Sequence, residues 1–83
     1  MRTADIEFRQ IDGQRPEIVQ WFKRTAEGPE HCITLCRWSQ DAEGYSVEFV
    51  GSWPFDYAHT IQLWKLMQYG QAVLNARFKL EDE

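Results

Sequence analysis

After Trp53-Pro54 the chain repeats with helical spacing from about Asp56 to about Asn75, and its apolar side chains fall on two stripes. Tyr57, Ile61 and Trp64 make one stripe, and Leu63, Leu66, Met67, Val73 and Leu74 make the other. Twenty residues of helix span about 30 Å. That length matches a strand of eight residues at about 27 Å. The width is less usual. A surface helix normally shows one apolar stripe, whereas this one is apolar over more than half its circumference. Such a helix is buried on two sides within the monomer or shared with another chain. Gly70, between its halves, costs about 1 kcal/mol relative to Ala.

The segments before it alternate between two periods. Residues 4–11 place Ala4, Ile6 and Phe8 on one side and Asp5, Glu7 and Arg9 on the other, the pattern of a half-buried strand. Asp12-Gly13 ends it as a turn. Pro16 suits the first turn of a helix, and Ile18, Val19, Trp21, Phe22 and Ala26 then share a helical stripe. Glu17 near its start and Lys23 and Arg24 near its end complement the macrodipole. Gly28-Pro29 stops it. Residues 31–38 make a second strand, with Ile33 and Leu35 on one side and Cys32, Thr34, Cys36 and Trp38 on the other. A polar turn over 39–44 leads to a third strand, residues 45–52, whose core side holds Tyr45, Val47 and Phe49. The tail 76–80 alternates again as an optional fourth strand, before a solvated Glu81-Asp82-Glu83 end.

The expected order is β-α-β-β-α, with an optional final β. That is a small α+β sandwich, an antiparallel sheet with two helices on one face. With the final strand it has the split βαβ order of a ferredoxin-like fold.

Eighty-three residues make one domain, residues 1–83. A chain of this size buries only about 60–65% of its unfolded surface, and oligomerisation is a common way to add more. Small core and wide apolar helix together point to a homo-oligomer. Two Cys are too few for a disulfide scaffold. No apolar run approaches the roughly 18–20 residues of a membrane span, and Met1 to Glu7 lacks the apolar run of a secretory signal. A cytoplasmic location is expected. Twelve aromatic residues argue against disorder. A net charge of −4, from 9 basic and 13 acidic side chains, argues against generic DNA or RNA binding, although Arg15, Lys23 and Arg24 lie close in sequence.

Candidate chemistry is sparse. Cys32 and Cys36 beside His31 suggest a metal half-site. Along a strand the two thiols stand about 13 Å apart at roughly 3.3 Å per residue, too far to share an ion or form a disulfide. They are expected to pack as reduced, small hydrophobes, and no metal or cofactor is assigned. Asp56, Tyr57, His59 and Thr60 gather at the start of the last helix. An acid beside a His can orient it for general-base work, but Asp56 serves as simply as an N-cap. No serine elbow, P-loop or dinucleotide glycine motif is present, and no catalytic residue is assigned. Gly44-Tyr45 fits one part of an RNA-recognition strand, yet Glu43 and Glu48 put acid where phosphates would lie.

Of the four Trp, Trp21 and Trp64 fall on helical stripes and are expected in the core. Trp38 and Trp53 fall at strand ends and are candidates for contact. The leading expectation is a non-enzymatic protein-binding module whose surface holds Trp38, Trp53, Leu66, Met67 and Leu74. One version is an inhibitor or adaptor of a mobile element, as anti-CRISPR proteins are. The alternative is a small-molecule binder or small enzyme. It would hold an anionic ligand at the helix N-terminus, with Tyr57 and His59 beside Asp56 and the wall of Trp53.

Overall fold

The computed structural model describes residues 2–3, 5–50 and 57–82, with side chains over 5–50 and 60–80. The strands are β1 (Arg2–Thr3), β2 (Ile6–Arg9), β3 (Glu17–Lys23), β4 (Glu30–Asp41) and β5 (Gly44–Phe49). One helix, α1 (Tyr57–Asp82), follows them. The sheet runs in chain order with every neighbour antiparallel. Its body is a four-stranded meander, β2 to β5, and the two-residue β1 pairs with the outer edge of β2.

This α+β architecture is not the β-α-β-β-α sandwich. The expected first helix is β3, and the expected final strand, residues 76–80, belongs to α1. The first difference has a packing cause. Ile18, Val19, Trp21 and Phe22 are β-branched or aromatic, the types that suit a pleated surface. β3 sits between β2 and β4, and Ile18 and Val19 are both fully buried on opposite faces of the sheet. A strand buried on both faces loses its period of two, and its adjacent apolar pairs imitate a helical stripe. The second difference follows from Phe78, four residues after the buried Leu74, which extends the same helical stripe and packs edge-on against Tyr45 at 6.4 Å.

The register contains one irregularity with large effects. Ile18 pairs with Cys36, but Val19 pairs with Thr34, so Leu35 is an extra residue on β4. Such a bulge exchanges the faces on either side of it. Cys36 and Trp38 therefore lie on the same face as Ile6, Phe8 and Ile18, while Cys32 and Thr34 lie on the opposite face with Glu7 and Val19. The expected grouping of Cys32, Thr34, Cys36 and Trp38 on one side is thereby corrected.

α1 covers the first face with a single stripe. Leu63, Leu66 and Leu74 are buried there with Ile6, Phe8, Ile18, Leu35, Cys36 and Trp38, and Met67, Tyr45 and Val47 pack against them. Gly70 lets the helix come close. A Cβ at this position would lie 2.7 and 2.9 Å from the Phe8 ring and 3.0 Å from Trp38. The helix-propensity cost of glycine is offset by that approach. Phe8 meets Trp38 edge-on at 5.4 Å and Tyr69 at 6.0 Å. Gln71 completes the contact: its Oε1 accepts from Trp38 Nε1 at 2.8 Å, and its Nε2 donates to the Tyr45 carbonyl at 3.0 Å. A buried indole N–H is thus satisfied, as burial requires.

The turns are as local sequence suggests. Gln14 N donates to the Ile11 carbonyl at 2.9 Å, and Gly13 takes φ 82°, the conformation a type II turn needs at its third residue. The β4–β5 hairpin forms with a shorter loop than expected, because Ser39 and Gln40 continue the strand. Asp41 Oδ1 accepts from the N–H groups of Glu43 and Gly44 at 2.8 and 3.1 Å, closing a two-residue connection.

Candidate functional site

The structure divides the expected site residues into three groups. Trp38, Leu66 and Leu74 are buried in the intramolecular core, and Met67 packs against it, so this stripe faces the sheet of its own chain. Trp53 lies outside the described residues, and Tyr57 and His59 are described only as backbone at the start of α1. Trp64, expected in the core, is instead 59% exposed. The bulge sets the two free thiols on opposite faces. Burial pushes the Cys36 thiol up to about 12, so this side chain is an inert packing group. Among the described residues, no cluster of three or more His, Cys, Asp or Glu is arranged to hold a metal ion.

The face opposite α1 is polar, and its charges are turned on one another. Glu17, on central strand β3, is buried, yet both its oxygens have partners. Arg9 Nε donates to Oε1 at 2.9 Å with Nη2 at 2.7 Å, and Thr34 Oγ1 donates to Oε2 at 3.0 Å. The hydrogen bond to Glu17 is the main reason the Arg9 pKa is raised above its ordinary value. Arg9 also lies over the Trp21 ring at 5.8 Å, while Trp21 Nε1 donates to Glu7 at 3.1 Å. Paired in this way, these groups support the sheet instead of presenting a reactive centre.

A groove opens where the β2–β3 loop meets the C-terminal half of α1. Its volume is about 340 Å³, within the range of small-ligand pockets. The loop contributes residues 10–16, the β4–β5 hairpin contributes Trp38, Gln40 and Tyr45, and α1 contributes Arg77. Arg15 is oriented by three acceptors: the Trp38 carbonyl at 2.8 Å, Ser39 Oγ at 2.7 Å and Glu48 Oε1 at 2.7 Å. Arg77 Nη1 donates to Gln10 Oε1 at 2.9 Å. Sequence reasoning grouped Arg15 with Lys23 and Arg24. An extended β3 carries those two roughly 20 Å away at about 3.3 Å per residue. The groove instead takes Arg15 from the loop and Arg77 from α1 into one lining, which only the tertiary fold produces. The Asp12-Gly13 turn was the local signal that a loop wall would form here.

Large apolar side chains exposed among the described residues are Leu80 (74%), Phe49 (60%), Trp64 (59%), Ile33 (50%), Tyr69 (44%), Ile11 (43%) and Ile61 (37%). Trp64, Gln71 and Phe78 are spaced by seven and so share one flank of α1. Gln71 and Phe78 both contact Tyr45, which places that flank beside β5. Phe49 ends β5, so the two most exposed of these aromatic side chains lie on the same side of the molecule. Among the described residues, no helix is long and apolar enough to cross a membrane. No protein-family model matches this chain, and no curated protein or solved structure matches it.

Proposed function

We propose that the chain is a non-enzymatic protein-binding module that assembles with a second copy of itself through the side that carries Trp64 and Phe49. The exposure of Trp64 and Phe49 on one side of the molecule carries this reading. A soluble domain seldom leaves several large apolar side chains exposed together without a use for them, and Trp is the residue most enriched where binding energy concentrates. A two-fold axis brings one such patch against the same patch on another copy. A chain of 83 residues in which, among the described residues, a helix covers one sheet face gains from that burial. The interface residues in this reading are Ile61, Trp64, Phe49 and Ile33, and the Leu66, Met67 and Leu74 stripe is left to the core. An assembled module of this kind acts as an adaptor or inhibitor by presenting its remaining surface to another protein.

Light scattering on a sizing column at micromolar concentration tests the assembly. A mass at a multiple of 9.9 kDa is expected, with Trp64→Glu returning the chain to a folded monomer. A wild-type mass of 9.9 kDa would overturn the proposal.

A further inference from the structure

We infer that the second copy joins through β5: two β5 strands pair antiparallel about Val47 and run the two sheets into one. This pairing rests on the self-assembly proposed above and supplies its backbone contact.

The sheet ends at β5, so one side of this strand meets no other strand among the described residues. The alternation of the ladder fixes which groups lie there. Trp38 N donates to the Pro16 carbonyl, towards β3, and Val50 N donates to the Leu35 carbonyl, towards β4. Successive residues of a strand aim their backbone groups to opposite sides. Arg37, Ser39 and Asp41 therefore bond to Glu48, Ser46 and Gly44, and the N–H and C=O groups of Tyr45, Val47 and Phe49 point away from β4. Gln71 donates to the Tyr45 carbonyl and covers that group. The N–H and carbonyl of Val47 have no partner among the described residues.

An unpaired edge is a template for another strand, and proteins blunt it with Lys, Pro or a bulge. β5 has none of these: its six residues, Gly44–Phe49, pair with β4 without a register shift. Its one charged side chain, Glu48, is already paired with Arg15. A two-fold axis at Val47 joins its N–H and carbonyl to those of the partner's Val47. Tyr45 then lies opposite the partner's Phe49, and Ser46 opposite the partner's Glu48. An axis at Ser46 would direct the Val47 N–H to the Tyr45 carbonyl, which Gln71 holds. An axis at Glu48 would set two carboxylates opposite one another. The axis at Val47 gives Phe49, 60% exposed, an aromatic neighbour on the α1 side of the joined sheet. The flank of α1 that carries Trp64 lies beside β5, so the same axis turns the two flanks towards each other.

NMR on the full chain, read beside its mass in solution, tests this. A sample mixing isotope-labelled and unlabelled chains should show a contact between copies from the α-proton of Ser46 to that of Glu48, which close approach in a non-hydrogen-bonded antiparallel pair. The Val47 amide should exchange with solvent at least about ten-fold more slowly in the wild-type assembly than in the Trp64→Glu monomer. Val47→Pro removes an N–H that β4 does not use, so the chain should keep the β4–β5 hairpin and size at 9.9 kDa. An assembly that Trp64→Glu dissociates, but that Val47→Pro leaves intact or in which the Val47 amide exchanges as in the monomer, would overturn this contact and leave the self-assembly standing. A wild-type mass of 9.9 kDa would overturn both.

Discussion

The two faces of the sheet solve the same problem with different physics. The face under α1 is closed by apolar packing: Leu63, Leu66 and Leu74 of the helix meet Ile6, Phe8, Ile18 and Trp38 of the strands. Among the described residues, no helix covers the other face. Val19, flanked across the sheet by Glu7 and Thr34, is still fully buried there, within a lattice of Arg9, Glu17, Thr34 and Trp21 hydrogen bonds. Among the described residues one helix follows the strands, and it gives one face a hydrophobic core. The stability of the first face should depend on shape. The second depends on paired polar groups, whose net contributions are individually modest.

Substitutions on the two faces should therefore differ in size. Trp38→Ala removes the ring that Phe8 and Gly70 pack against, and should cost about 3–5 kcal/mol in urea unfolding. Gly70→Ala forces a methyl to within 2.7 Å of the Phe8 ring and should cost about 1–3 kcal/mol despite better helix propensity. Adding Phe8→Leu to that variant should recover part of the loss. On the open face, Thr34→Val deletes one hydrogen bond to Glu17 with little change of shape and should cost about 1 kcal/mol. Glu48→Gln weakens an exposed ion pair with Arg15 and should cost less than about 1 kcal/mol. A loss from Thr34→Val as large as that from Trp38→Ala would erase the distinction between the faces.

The face under α1 should also respond to alkali. The Cys36 thiol keeps its proton to about pH 12 in the folded chain and ionises around 9.0 when unfolded. The stability that comes from keeping it neutral is complete below pH 9 and is lost as pH rises towards 12. Urea midpoints measured across that window should fall, and a midpoint that rose would contradict the burial of Cys36.

These contrasts also explain which parts of the fold were legible in sequence. β2 was, because Ile6 and Phe8 are buried on one face only and their alternation survives. The β4–β5 hairpin was, because Asp41 and Gly44 mark its turn. α1 was legible from its length, but the division between its stripes was not. Leu63, Leu66 and Leu74 went to the sheet, while Ile61 and Trp64 stayed outside. β3 was hidden by its central position, which buries both faces and removes the period that identifies a strand. The bulge at Leu35 left no local mark, since an extra residue in a strand is visible only against its partner. The groove was the least legible feature, because residues 10–16 and Arg77 line it together only through the docking of α1.

The central claim is that the bulge at Leu35 sets Cys36 under the helix and Cys32 on the open face. Alkylation of the native protein with iodoacetamide, located by peptide mass spectrometry, tests it directly. Cys32 should be modified first, with Cys36 protected until denaturant unfolds the chain. Modification of both thiols at the same rate, or of Cys36 first, would contradict the account.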